Sequence, residues 1–569
     1  MRFFSIIEAE RKFDYRKDVF GMNKQLDRKW TIALLIVSIW TSFFSVTALA
    51  QPKPKNVIVL MADGCGSTHT TISRWYKGVP LTLENIVVGA VRTYSAESLI
   101  TDSAPAATAF ATGYKSNSKF IGVLPRRAGM PGVNFDESRK YAPVATVLEA
   151  AKLAGKSTGL IATSNIQHAS PAGYSSHHYN RSAYNDIAEQ QVNLNIDVVF
   201  GGGKQYLVPV QQGGMRKDNE NMADVLKSRG YGIVETREQL LATTAHKLWG
   251  LFAPDAMAYE LDRKQLKPQE PSLAEMTQKA IEILSKNPKG FFLFVEGSKV
   301  DWASHANDPV GVISDVLAFD DAVKAALAFA GKDGNTLVLA FSDHGNGGMS
   351  LGNKSTDKNY DVLSYEMLVS PLQKATLTGE GVETVLAEDR SESNIREIMG
   401  KYFGINDLTA EEVEAIKQAK SGNMNYVVGP MISRRTVIGW TTNGHTGEDL
   451  FLYGYGPNAP HGTVDNTELA NIVAKTLAVD LGGATSRLFV EADSAFSAIG
   501  ATVALDQTDR ENPRLIVTKG IVRAEFPINK NIMRVGNDVK QMEGLTVYAE
   551  KTGKVYLPRQ AVEFMLAIR

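Results

Sequence analysis

Asn56-Val57-Ile58-Val59-Leu60-Met61-Ala62 is an unbroken apolar run, too short for a helix and rich in β-branched residues. Strands buried on both faces read this way, and parallel sheets covered by helices are where they occur. The run closes in the polar turn Asp63-Gly64-Cys65-Gly66. Comparable runs lie at 158–162, 196–200, 291–295, 336–341 and 450–455, with helical periodicity at 142–154, 272–285, 315–330 and 466–479. The alternation predicts an α/β fold: a large, mostly parallel sheet with helices on both faces.

Open α/β sheets bind ligands beyond the carboxyl ends of their strands, so the residues just past each run are the candidates for function. Asp63 comes directly after the first, Glu296-Gly297 after the fourth and Ser342-Asp343-His344-Gly345 after the fifth. Asp63 alone reads equally well as a turn residue. Asp301 and His305 stand four apart, so a helical turn aims both side chains the same way. They form either a hydrogen-bonded pair or two ligands of one ion. Further on, His445 lies in Asn443-Gly444-His445-Thr446-Gly447 just before the run at 450–455. A loop after 158–162 carries His168-Ala169-Ser170-Pro171-Ala172-Gly173 and then His177-His178-Tyr179-Asn180-Arg181. Gly201-Gly202-Gly203 is a backbone turn and not a P-loop, because no Gly-Lys-Ser/Thr comes after it.

Thr101-Asp102-Ser103-Ala104-Pro105-Ala106-Ala107-Thr108-Ala109 is a polar turn that breaks into an alanine-rich helix. Free N–H groups and the positive end of the helix dipole favour an anion there, which suits a serine hydroxyl that becomes an alkoxide or a phosphoester. The alternative is that Ser103 or Asp102 caps the helix, with Pro105 in its first turn.

With 569 residues, 44% of them hydrophobic, the chain can bury a large core. The net charge of −1 argues against nucleic-acid binding. Cys65 is the only cysteine, which excludes an internal disulfide framework and a cysteine-rich metal site. Residues 31–50 form an apolar stretch after Arg28-Lys29 that ends in Ala48-Leu49-Ala50, the pattern of a secretory signal cleaved before Gln51. An uncleaved anchor is the competing reading. Residues 1–50 are thus an extension plus signal peptide, with Met22 as a suitable start. This implies periplasmic or secreted localisation, with no stable membrane anchor once the signal is removed. Residues 51–485 read as the main domain, 345–440 as a cap-like insertion over the carboxyl edge, and 486–569 as a small β-rich C-terminal domain.

The ordered segments NVIVLMADG, TDSAPAATAFATG, HASPAG with His177 and Arg181, GFFLFVEGSKVDWASH, LAFSDHG and NGHTGEDL resemble those of alkaline phosphatases. The resemblance implies hydrolysis of small phosphate monoesters by a homodimeric enzyme. On the matching positions, Asp301, His305 and His445 would hold one Zn2+, and Asp63, Asp343 and His344 a second, with Ser103 as a variable ligand. Asp63 would bridge to a Mg2+ completed by Ser170 and Glu296. Ser103 would be the nucleophile and Arg181 the phosphate grip. These donors are of the kinds such ions accept. Zinc activates a hydroxyl, and two zincs about 4 Å apart stabilise entering and leaving oxygens. His168 and Trp302 stand where some members carry Asp and Lys.

A sulfatase would need an arginine after the serine and proline, and Ser103-Ala104-Pro105-Ala106-Ala107 has none. A phosphodiesterase usually lacks the third-metal set that Ser170 and Glu296 provide. His69, His177 and His461 match no ligand position, and His178 and His246 are expected to be exposed.

Overall fold

A computed structural model describes residues 55–567. The proposed signal segment and the start at Met22 lie outside them. Ten strands form the central sheet: β1 (Asn56–Ala62), β2 (Val87–Arg92), β3 (Ser157–Asn165), β4 (Val198–Gly202), β5 (Gly232–Val234), β6 (Leu248–Leu251), β7 (Phe291–Gly297), β8 (Thr336–Phe341), β9 (Leu450–Tyr455) and β10 (Gly462–Asp465). Their order is β10-β2-β9-β8-β1-β7-β3-β4-β6-β5. Only β9 runs antiparallel to its neighbours β8 and β2; the other pairs are parallel.

β1 sits at the centre because every residue in it is buried. Ile58 and Leu60 pack into the apolar layer on one face, and Val57, Val59 and Met61 into the layer on the other. Burying each such side chain stabilises the fold by roughly 1.5–3 kcal/mol. Only a strand covered on both sides gains this at consecutive positions, so the unbroken run and the central place are one fact. In register, Met61 lies opposite Glu296 of β7 and Phe341 of β8, so the turns after all three strands open at one edge.

The expected helix at 142–154 is shorter, Val147–Leu153. Thr146 caps it and Glu149 returns the bond to the Thr146 N–H, which sets the start inside the periodic stretch. β2, β5, β6 and β10 were not anticipated. They flank or lie near the sheet edges, and β2 is mixed in exposure, so it lacks the apolar signature of the centre.

Between β8 and β9 the chain forms five helices, Tyr365–Lys374, Gly379–Leu386, Glu392–Phe403, Ala410–Gln418 and Met424–Arg435. Their apolar faces, including Val382, Ile395, Met399 and Val428, join the main core. C-terminal to the sheet comes a β-rich region. An antiparallel five-stranded sheet spans 502–541, and a three-stranded sheet joins Val490–Glu491, Lys554–Leu557 and Val547–Ala549. Among the described residues no helix is long and apolar enough to cross a membrane.

Candidate active site and metal centre

The site is built on the carboxyl edge of β1, β7 and β8. Beyond β1, Gly64 donates its N–H to Asp343 Oδ1 at 3.1 Å and Cys65 its N–H to Ser342 Oγ at 2.8 Å, which fastens the turn after β1 to the turn after β8. Gly64 has φ +67°, and a Cβ on it would lie 2.8 Å from the Asp301 Cα. Glycine is required here by both the left-handed backbone and the close approach.

Ser103 is the first residue of α1 (Ser103–Thr112), a helix buried along its whole length. Its hydroxyl lies 3.0 Å from His344 Nε2. The capping alternative fails for Asp102, whose side chain makes no cap bond. Its carboxylate accepts instead from the Arg181 guanidinium and from the Lys119 N–H at 2.8 Å. Burial alone would raise Asp102, but Arg181 and the Lys119 N–H outweigh it and hold the carboxyl below its usual range. Arg181 also places Nη2 3.1 Å from His168 Nε2.

Asp301 and His305 share α2 (Lys299–His305) and meet as the spacing predicted, His305 Nε2 lying 3.4 Å from Asp301 Oδ2. His445 Nε2 lies 3.7 Å from Asp301 Oδ1, and its ring stacks on His344 with centroids 3.5 Å apart. His344 Nε2 is 3.2 Å from Asp343 and 3.5 Å from Asp63. In each of these three histidines Nδ1 faces a backbone carbonyl: Asn443 for His305 at 2.6 Å, Gly345 for His344 at 3.2 Å and Thr101 for His445 at 2.9 Å. A carbonyl only accepts, so each Nδ1 carries a proton and Nε2 is the ring atom that faces the carboxylates.

Three sets of donor atoms lie within 4.8 Å of one another: Asp301, His344 and His445; Asp63, Asp343 and His344; and Asp63, His168 and Glu296. The expected acids and histidines other than His305 fall in these sets, and the groupings differ from the expected ones in three respects. His305 pairs with Asp301 but joins none of the three sets. His344 belongs to two sets, and His168 joins Asp63 and Glu296 in the third. Ser170 is fully buried nearby, with no hydrogen-bond partner for its hydroxyl.

The donor set fits cations. Asp63 and Glu296 are fully buried, and neither carboxylate has a hydrogen-bond partner; Asp343 Oδ2 has none either. Burial pushes Asp63 well above the usual carboxylate range, and Asp343, Asp301 and Glu296 push it further; burial likewise raises Glu296 to about 7. Unsatisfied carboxylates packed against one another cost several kcal/mol unless positive charge neutralises them. Bound cations would meet that need.

The set opens into a cleft of about 720 Å³ that also exposes Ser103, Arg181 and Trp302. Its outer wall carries Glu380, Asn425 and Tyr426 from the helices between β8 and β9, and Asp255 and Tyr259 from the loop after β6. Sequence reasoning missed Asp102 as the anchor of Arg181 and did not assign these wall residues. The one available signal was the acid directly before Ser103. His178, expected to be exposed, is only 11% exposed, stacked on Tyr179; His246 and His461 are exposed, and His69 is buried with Nδ1 accepting from Gly66 N–H.

The sequence model of the alkaline phosphatase family matches residues 54–479. Alkaline phosphatase 3 of Bacillus subtilis is 37% identical over 450 residues, which cover 75% of this chain and 90% of that protein. Among solved structures, the alkaline phosphatase of Thermus thermophilus superposes with a TM-score of 0.66 at 28% identity, covering 76% of this chain and 94% of its own. A His-to-Asp variant of the enzyme from the Antarctic bacterium TAB5, with Mg bound in its M3 site, is 28% identical with a TM-score of 0.54, covering 75% and 99%.

Proposed function

The chain belongs to the alkaline phosphatase family, and from that premise we propose that it hydrolyses phosphate monoesters through a phosphoserine on Ser103 at a site for two Zn2+ and one Mg2+. Asp301, His305 and His445 would hold one zinc, Asp63, Asp343 and His344 the other, and Asp63, Ser170 and Glu296 the magnesium. His168, whose donor atom joins Asp63 and Glu296, bears on the third ion. When bound, the ions supply Lewis-acid chemistry that favours the alkoxide of Ser103 and stabilises charge on the entering and leaving oxygens.

The protein's own groups do the rest. Arg181 presents a planar fork to two non-bridging phosphate oxygens, and Asp102 and His168 fix where that fork points. Ser103 attacks phosphorus in line; its Oγ–P bond forms as the bond to the alcohol oxygen breaks. At the start of α1 the Ser103 and Ala104 N–H groups have no helical acceptor, which favours phosphoryl oxygens there; Pro105 has no N–H and Ala106 donates to Asp102 C=O at 3.2 Å. Water then attacks the phosphoserine, releasing inorganic phosphate and restoring Ser103. Residues 345–440 act as a partial cap, and the alcohol portion lies in the open cleft that Trp302 and Tyr426 help to line.

The observation that carries this reading is the set of buried, unpartnered carboxylate oxygens on Asp63, Asp343 and Glu296 beside Ser103. Elemental analysis paired with hydrolysis of p-nitrophenyl phosphate tests it, together with mass spectrometry for phosphate on Ser103 after an acid quench. Zinc-free protein with full turnover, or a phosphate on another residue, would overturn it. We also read the protein as exported and homodimeric; cell fractionation and sedimentation velocity decide both.

A further inference from the structure

We propose that the C-terminal β-rich region, which lies beyond the residues matched to the family, braces the loop 177–181 and so sets the Arg181 guanidinium for phosphate. The inference rests on the role given to Arg181 above. One side of this loop is tied to the main sheet region: His178 and Ile121 exchange backbone hydrogen bonds at 2.8 Å, and the Arg181 N–H donates to Lys119 C=O at 2.9 Å. Its other side meets C-terminal residues at three places.

The first is Phe489, whose ring lies edge-on to His177 with centroids 4.6 Å apart. The second is a buried relay. Gln190 accepts the His177 N–H at 2.7 Å and donates from Nε2 to the His177 C=O at 3.1 Å; its remaining amide hydrogen goes to Asn529 Oδ1 at 2.9 Å. Asn529 is in the left-handed region (φ 64°) and donates its own N–H to Thr546 C=O at 2.8 Å. Without Asn529, one donor of a buried carboxamide goes unpaired and the orientation that clasps His177 is no longer enforced. The third is the turn after Val547–Ala549. Glu550 accepts from the Tyr179 hydroxyl at 2.9 Å while Lys551 Nζ stands 4.5 Å over the Tyr179 ring.

Tyr179 and Arg181 are two residues apart, so a loop free to shift on this side would carry the guanidinium with it. A bidentate grip tolerates only small displacement, and order built in before binding lowers the entropic cost of gripping. Asn529 and Tyr179 are accordingly positioning residues, and the appended region acts on phosphate affinity.

The test uses the full chain with its metals. Asn529→Gly keeps the left-handed backbone and deletes the carboxamide; Tyr179→Phe, at the surface, deletes one hydroxyl and leaves the core intact. Expected is a rise of roughly three- to tenfold in both KM for p-nitrophenyl phosphate and Ki for inorganic phosphate in the pair combined, with kcat changed less than about twofold. In an Arg181→Ala background the same pair should add less than about twofold to either constant. Arg523→Ala, on the exposed side of the five-stranded sheet, should change neither. A fall in melting temperature with KM and Ki unmoved would overturn the proposal, as would an equal rise without Arg181. Calorimetric titration with inorganic phosphate separates the two readings. A wild type that binds phosphate but turns over no ester fails the proposed function alone, and the Kd must still rise in Asn529→Gly for the brace to stand.

Discussion

Two acidic clusters in this protein look alike on paper and differ in what surrounds them. Asp63, Asp343 and Glu296 lie at the carboxyl edge of the sheet; Glu189, Asp218 and Glu220 lie between the main sheet region and the C-terminal strands. Asp63 comes within 4.8 Å of ligand atoms on Asp343 and His344 and, separately, on Glu296 and His168, and Glu189, Asp218 and Glu220 lie equally close to one another. In the second, Arg216, 1% exposed, pairs with Asp218 and approaches Glu189 at 4.0 Å, while Lys530 reaches Glu189 at 3.2 Å and also bonds Glu220. In the first, the ion pairs among the described residues are to His344 alone, and both Glu296 oxygens and both Asp63 oxygens go without a hydrogen bond. The difference teaches that proximity of carboxylates does not mark a metal site. Several carboxylates buried together without compensating charge point to one, because such a group must be neutralised by bound cations or by protons.

The largest expected effect lies at the first cluster's neighbour. Ser103→Ala should lower turnover by several orders of magnitude while inorganic phosphate still binds, as single-turnover and equilibrium titrations would read. Chelation should come next: removing metal from the wild type should abolish activity and lower the melting temperature, both restored by zinc and magnesium. Asp343→Asn should lower metal content by elemental analysis, whereas Glu220→Gln should leave it unchanged. Equal metal loss in both would erase the distinction between the clusters. Arg181→Lys should raise KM roughly ten- to a hundredfold, because a point charge replaces a planar fork held by Asp102.

The smallest effect sharpens the comparison from the other side. Burial lifts Glu189 from 4.5 to about 7, against the opposing pull of Lys530 and Arg216. Its folded value lies above its unfolded one, so the native state binds more protons between these limits. Stability from this group is therefore full below about 4.5 and falls as pH rises to about 7. Urea midpoints at pH 5 and pH 8 should differ less in Glu189→Gln than in the wild type, and an unchanged difference would remove Glu189 from the account.

The central strands were legible because burial on both faces leaves only apolar residues, as in Asn56–Ala62 and Thr336–Phe341. β2 was not, since Val87 is 47% exposed and the strand alternates without a clean period. In the site, Asp301 and His305 were readable from helical spacing alone. The partner of Asp102 was not, for a helix-capping aspartate and one that anchors an arginine 79 residues away have the same local sequence. His178 was misjudged for a related reason: a loop histidine beside an exposed-looking Asn-Arg pair gains its cover from Tyr179 and the Ile121 backbone, across 57 residues.

Local chemistry along the chain determined the sheet, the acids at the ends of its strands and the serine at a helix start, since each depends on neighbours within a few residues. Tertiary structure alone decided which carboxylates share a pocket without compensating charge, how His344 serves two groups of donors, and what stands behind Arg181. Those properties depend on the dielectric and the partners that distant segments bring, and no stretch of sequence contains them.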